Sequence, residues 1–409
     1  MPSPASAEPF LELPRVHIDE LTYKRFLSDF ALPRVPFILV GVGGDWPAAK
    51  RWHALDYFLN HPGVALDYPV TVSVGEDDEH ETTVGEALRM LRDRVAEAAA
   101  APEVPIGGRA DAAVYINAWD FVRGSSSALQ EDFSVPSHFD RAPKWLAEHV
   151  VFGNAAVDLR WLYIGERGTG SPTHLDPNLS SAWLWVAHGE KSWICAHGDD
   201  RALITAAAAA AGGGGGGEEE DAVAAGYDGD PLPDLFAANL FERHPSLRGA
   251  RLYRGTQRAG EIVFNPSCCV HAVRNVSPLV VSCTRNFIDA TNIADAVGDA
   301  TRSFHADLLP MVGMLGQNKV IQTLGRTLHL KRSRVASVLA ALPGLFSAER
   351  LNSLVEAAAR GASDEEREEV RGLVRRHLEE ALEREQPAFE AAAKELCQQL
   401  GLVPNDESV

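Results

Sequence analysis

In the middle of this 409-residue chain apolar positions tend to recur every second residue, and nearer the two ends every third or fourth. The first period belongs to strands with one buried face, the second to amphipathic helices. Strands are predicted over Leu159–Gly165, Ser181–Ala187, Lys191–Ala196, Ala259–Asn265, Ala272–Val276 and Leu279–Phe287. Short strands punctuated by Gly and Pro point to an all-β sandwich or barrel. Upstream, Ile18–Leu27 has helical spacing, Val35–Val42 reads as a short strand, and a helix is predicted from Val84 to Ala99. Val114–Trp119 reads as a strand with Tyr115 and Asn117 on one face. From Thr301 onward the pattern is helical. Ser363-Asp364-Glu365-Glu366 forms a capping box that opens a helix with Val370, Leu373, Val374, Leu378, Ala381 and Leu382 on one face. Pro387 is expected to open the next helix and Gly401 to close it. Three regions follow: an α/β supporting region over 1–130, a β core over 131–300, and a helical region over 301–409.

A low-complexity tract interrupts the core. Six alanines (206–211), six glycines (212–217) and Glu218–Asp221 bury too little apolar surface to order themselves, so 198–230 reads as a mostly flexible insertion. The charge balance is acidic, 38 basic against 57 acidic residues, a formal −19. That field disfavours nucleic acid and would attract a basic peptide, although acidity also serves plain solubility. Five cysteines at 195, 268, 269, 283 and 397 lack disulfide-like spacing, which suggests reduced thiols in a nuclear or cytoplasmic compartment. The opening MPSPASAEPF has no secretory pattern, and no apolar run has the length of a membrane span. Lys331-Arg332-Ser333-Arg334 reads as a solvated helix face, with a nuclear address as the alternative.

The chemistry concentrates in His174-Leu175-Asp176 and, 95 residues after the aspartate, His271. On a strand over 172–176, His174 and Asp176 share a face. A histidine from a distant strand can then complete a triangular set of two imidazoles and one carboxylate, the donor set of non-haem Fe(II) oxygenases. A hydrogen-bonded His/Asp pair in a β core and a zinc or manganese cupin site are the alternatives. A second such triplet, His138-Phe139-Asp140, lies between Pro136 and Pro143 in a stretch better read as loop. Lys191 alternates with Trp193, which favours a buried tip over a surface lysine.

The segments GTGSPTHLDP, SAWLWVAHGEKSW, GEIVFNP and TRNF, with EDFSVP at 131–136 upstream, occur in an order that resembles the JmjC family of Fe(II)- and 2-oxoglutarate-dependent oxygenases. The likeness is greatest to its bifunctional arginine demethylase and lysyl-hydroxylase branch, over residues 30–300 with the insertion unmatched. The resemblance implies a double-stranded β-helix (jelly-roll, cupin-like) core. It also implies that His174, Asp176 and His271 hold iron. Lys191, 17 residues after the first histidine, would meet the distal carboxylate of 2-oxoglutarate, and the Thr284 hydroxyl would hydrogen-bond the same group. Ser171, Tyr115 and Asn286 would line the pocket. Two departures stand out: Leu184 where that branch has an asparagine touching 2-oxoglutarate, and Cys268, Cys269 and Val270 in place of a glycine and two tryptophans.

The implied reaction couples oxidative decarboxylation of 2-oxoglutarate by dioxygen to hydroxylation of a C–H bond. The implied substrate is a protein or peptide side chain, by lysyl hydroxylation or methyl-arginine demethylation. A small-molecule or tRNA-modifying oxygenase and a catalytically weak binding scaffold are the rivals. The C-terminal helices either pack on the core or pair two copies into a homodimer.

Overall fold

A computed structural model describes residues 10–74, 78–98, 113–122, 126–139, 160–212, 224–225, 231–296, 298–299 and 348–399. Two sheets carry the site. The larger contains β2 (Arg15–His17), β3 (Phe37–Val40), β4 (Pro69–Val74), β5 (Asp78–Thr83), β6 (Val114–Trp119), β7 (Arg160–Glu166), β9 (Ser181–His188), β14 (Ile262–Asn265) and β16 (Leu279–Phe287). Their spatial order is β2-β3-β14-β9-β16-β7-β6-β4-β5. The smaller contains β1 (Phe10–Glu12), β8 (Gly170–His174), β10 (Glu190–Ala196), β13 (Leu252–Arg258) and β15 (His271–Asn275), in the order β1-β13-β10-β15-β8. From β7 to β10, and again from β13 to β16, successive strands switch from one sheet to the other.

The period-two pattern explains the layering. On β10, Lys191, Trp193 and Cys195 face the larger sheet, while Ile194 and Ala196 join an outer cluster with Leu247 and Leu252. On β9 and β14, Leu184 and Val263 face inward, whereas Trp183, Trp185, Ile262 and Phe264 pack outward. That outward layer is the main core, covered by α1 (Val84–Ala98) and by α3 (Ala348–Ala359) and α4 (Arg367–Gln399) through Leu88, Leu91, Val355, Val370, Val374 and Leu378. These described side chains of the C-terminal helices therefore pack on this chain's own core. Burying each such side chain stabilises by about 1.5–3 kcal/mol.

Several expectations change. The stretch expected as a flexible insertion contains α2 (Arg201–Gly212). Alanine is the best helix former, and Ile204 and Ala207 give that helix a buried face. β11 (Ala224–Ala225) pairs with β12 (Pro231–Leu232), and the glycine run beyond Gly212 falls outside the described residues. Pro387 lies inside α4 and does not open a new helix, while Gly401 and Lys331–Arg334 fall outside the described residues. Ile18–Leu27 breaks into short helical turns. Strands β4, β5 and β13 carry too many polar residues to announce themselves.

The β8–β15 pairing brings two of the candidate ligands together. Gly170 lies against Arg274 and the Val273 carbonyl in that pairing, and a Cβ there would collide with the carbonyl oxygen. Gly170→Ala is expected to destabilise the protein by about 1–3 kcal/mol, read by chemical denaturation, and to weaken divalent-metal binding. Unchanged values for both would refute this account of the pairing.

Candidate metal centre

His174 ends β8 and stands directly opposite His271, which opens β15. The register shifts between His271 and Val273, a bulge of the kind that re-aims side chains beside active sites. Pro172 is tolerated because β8 is an edge strand. Asp176 falls just beyond β8, yet its extended backbone (φ −65°, ψ 146°) continues the alternation and keeps its side chain with His174. One nitrogen from each of these imidazoles and one Asp176 oxygen all lie within 4.8 Å of one another.

The two rings are prepared alike. His174 Nδ1 lies 2.7 Å from the Pro172 carbonyl oxygen and His271 Nδ1 lies 3.0 Å from that of Cys269, each two residues back. Donation from Nδ1–H to a carbonyl leaves the Nε2 lone pair free for a cation. Burial, with His174 alongside, pushes His271 down to about 4, so its ring is neutral through the physiological range.

Asp176 is held from both sides. Asn286 Nδ2 donates to Oδ1 at 2.9 Å, and Asn265 Nδ2 donates to Oδ2 at 2.7 Å. Asn265 Nδ2 also lies 3.0 Å from His271 Nδ1, but with that nitrogen's proton given to the Cys269 carbonyl the amide donates to Asp176 alone. Asn265 is buried, and its Oδ1 has no hydrogen-bond partner among the described residues. Asn286 therefore does more than wall the pocket, while the bracing by Asn265 could not be read from GEIVFNP.

A pocket opens from these groups, lined by Tyr115, Tyr163, Ser171, Leu184, Lys191, Trp193, Val273 and Thr284. Lys191 is 1% exposed, and its Nζ donates to Asn275 Oδ1 at 2.9 Å and lies 5.9 Å from the Tyr115 ring centre. Burial pushes its pKa down to about 7. Ser171 and Tyr115 both border the cavity. Thr284 borders it too, but its hydroxyl donates to the Trp183 carbonyl at 2.8 Å, so in this arrangement it offers the cavity lone pairs rather than a proton. Leu184 contributes apolar wall in common with Ile38 and Val263. Cys268 adopts φ 64°, the left-handed region that costs glycine nothing. Cys269 turns away, its Sγ donating to the Ala196 carbonyl at 2.9 Å. His138 Nε2 is engaged by the Leu21 carbonyl at 2.7 Å, and Asp140 lies outside the described residues.

The donor set suits a divalent transition metal: two imidazoles and an aspartate in one triangular face, backed by hydrogen bonds. The cupin-like domain family matches residues 23–292, more than half of the chain. The chain belongs to that family. It is 27% identical over 183 residues to the bifunctional arginine demethylase and lysyl-hydroxylase psr-1 of Caenorhabditis briggsae, covering 44% of this chain and 41% of that protein. It is 28% identical over 176 residues to the arginine-specific demethylase JMJ22 of Arabidopsis thaliana, covering 42% and 29%. With the human 2-oxoglutarate and iron-dependent oxygenase JMJD4 it shares 24% identity over 287 residues, 67% of this chain and 61% of that protein. The chain thus spans less than two thirds of the length of each. The facial triad, in a chain of this family, fits a non-haem iron centre. No helix among the described residues is long and apolar enough to cross a membrane.

Removing the amide that donates to the Asp176 carboxylate should loosen the centre. Asn265→Leu is expected to weaken Mn(II) binding about 10–100-fold, measured by titration of the metal-free protein. Wild-type affinity in that variant would show that Asn265 does not brace the ligands.

Proposed function

We propose that this protein is an Fe(II)- and 2-oxoglutarate-dependent dioxygenase that hydroxylates a protein side chain. The observation that carries the reading is the shared pocket: a triad with its metal-facing nitrogens free at one side, and a buried, unneutralised lysine at the other. In this reading His174, Asp176 and His271 hold Fe(II), which with 2-oxoglutarate and dioxygen supplies the oxidising chemistry when bound. Lys191 receives the distal carboxylate, because an ammonium with only neutral neighbours in a dry pocket gains most from an anion. Tyr115, Ser171 and Thr284 shape the walls around the co-substrate, and Leu184, Trp193 and Val273 keep water out.

The alternation of strands between facing sheets supports a double-stranded β-helix as the core, with residues 131–300 as the catalytic region and its flanks as support. Lysyl hydroxylation or methyl-arginine demethylation is the specific reaction we infer. The nematode and Arabidopsis relatives carry those activities in their names, and the net charge of −19 favours a basic substrate segment. In both cases a C–H bond is hydroxylated; on an N-methyl group the product then loses formaldehyde.

Succinate release from 2-oxoglutarate with added Fe(II) should be seen for wild type and lost in His174→Ala. Equal release by both would end the enzyme reading. Peptides that gain one oxygen in mass, or lose a methyl group, would then identify the substrate.

The Lys191 environment sets a pH dependence with a definite sign. The free site holds a neutral lysine above about pH 7, so binding a carboxylate there takes up a proton. Affinity of the Mn(II)-loaded protein for 2-oxoglutarate should therefore fall as pH rises above 7, approaching tenfold per unit. Lys191→Arg, charged throughout, should flatten the profile. A wild-type profile as flat as the variant's would contradict the assignment.

A further inference from the structure

Lys191 faces Asn275 directly across the β10–β15 pairing, and their contact begins a chain of hydrogen bonds leading away from the pocket. Asn275 Nδ2 donates to Thr169 Oγ1 at 3.0 Å, and the Thr169 hydroxyl donates to the Glu166 carbonyl at 2.7 Å. Lys191, Asn275 and Thr169 are each 1% exposed, so water does not substitute for any of these partners. The backbone pins the same turn, through Asn275 N to Thr169 O at 2.7 Å and Gly168 N to Asn275 O at 2.8 Å.

The direction of this relay follows from its far end. A carboxamide's oxygen and nitrogen are told apart by their partners. The proton of Thr169 is committed to a backbone carbonyl that can only accept, so Oγ1 has only lone pairs left for the amide. A flipped Asn275 would set oxygen against oxygen at Thr169 and N–H against N–H at Lys191. The amide oxygen must therefore face the ammonium. It engages one of that group's three N–H bonds and leaves the positive charge intact, as a neutral acceptor does and a carboxylate would not.

We propose that Asn275, locked by Thr169, is a positioning residue for 2-oxoglutarate, holding the Lys191 amine in the pocket without a charged partner of its own and so setting co-substrate affinity without touching the co-substrate. This rests on the functional reading above and adds to it two residues remote from the metal. A neighbouring carboxylate at 275 would compete with the incoming one. Loss of the Thr169 hydroxyl would free the amide to turn and would misplace the ammonium.

The test uses the full chain in three variants, Asn275→Asp, Thr169→Val and Thr169→Ser. The readings are 2-oxoglutarate affinity of the Mn(II)-loaded protein by calorimetry, Mn(II) affinity, and KM and kcat for succinate release. Asn275→Asp should weaken 2-oxoglutarate binding about tenfold or more, since it replaces a neutral acceptor with a competing charge. Thr169→Val should weaken it about three- to tenfold, the worth of one buried hydrogen bond, and Thr169→Ser should restore it. The change should fall on KM rather than kcat, with Mn(II) affinity kept. If Asn275→Asp does not fold, the Thr169 pair carries the comparison. Unchanged 2-oxoglutarate affinity in the variants, a parallel loss of metal binding and kcat, or no rescue by serine would overturn the proposal. Wild-type protein that binds no 2-oxoglutarate would instead sink the functional reading itself, and this inference with it.

Discussion

The structure depends on placing two imidazoles and a carboxylate together inside a β sandwich without letting them neutralise or repel one another. The rings of His174 and His271 lie 4.2 Å apart centre to centre. Two imidazolium ions at that distance would repel strongly in a dry interior. The arrangement is stable because each ring sets Nδ1 against a backbone carbonyl and burial keeps His271 neutral. The carboxylate would compete for those protons were it not held by two amides. Strand pairing supplies the rest: the β8–β15 register puts the histidines opposite each other, and the extended backbone at Asp176 adds the third donor.

Much of this was legible in the sequence because alternation is a strong signal. The spacing of His174 and Asp176 needs only extended backbone, so the reading survives even though the strand stops at His174. Lys191 was legible through Trp193, since two residues apart on a strand means one face, and both do face inward. The apolar stripe of Val370, Val374 and Leu378 likewise marked a helix face that is buried.

What escaped the sequence shares a physical cause, the dependence on partners far along the chain. Nothing in GEIVFNP tells that the Asn265 amide reaches Asp176, 89 residues away, or that Asn275 reaches Lys191 and Thr169. Strand β4 sends only one face into the main core and β5 is polar at all six positions, so their apolar signal is weak or absent. The alanine tract misled for the opposite reason: low complexity suggested disorder, while helix propensity and two buried side chains sufficed to order it.

Three asparagines do related work at the two ends of the pocket, and the choice of side chain is informative. An amide can donate or accept, yet it carries no charge. At the metal end, Asn265 and Asn286 present nitrogen to Asp176 and leave its charge available to a cation. At the other end, Asn275 presents oxygen to Lys191 and leaves that charge available to an anion. Arginine or lysine in the first role, or aspartate in the second, would give a more self-sufficient protein and a poorer receptor. Burying charges beside neutral partners costs stability. The cost is recovered when ligands of opposite charge arrive, and binding at each end is correspondingly stronger.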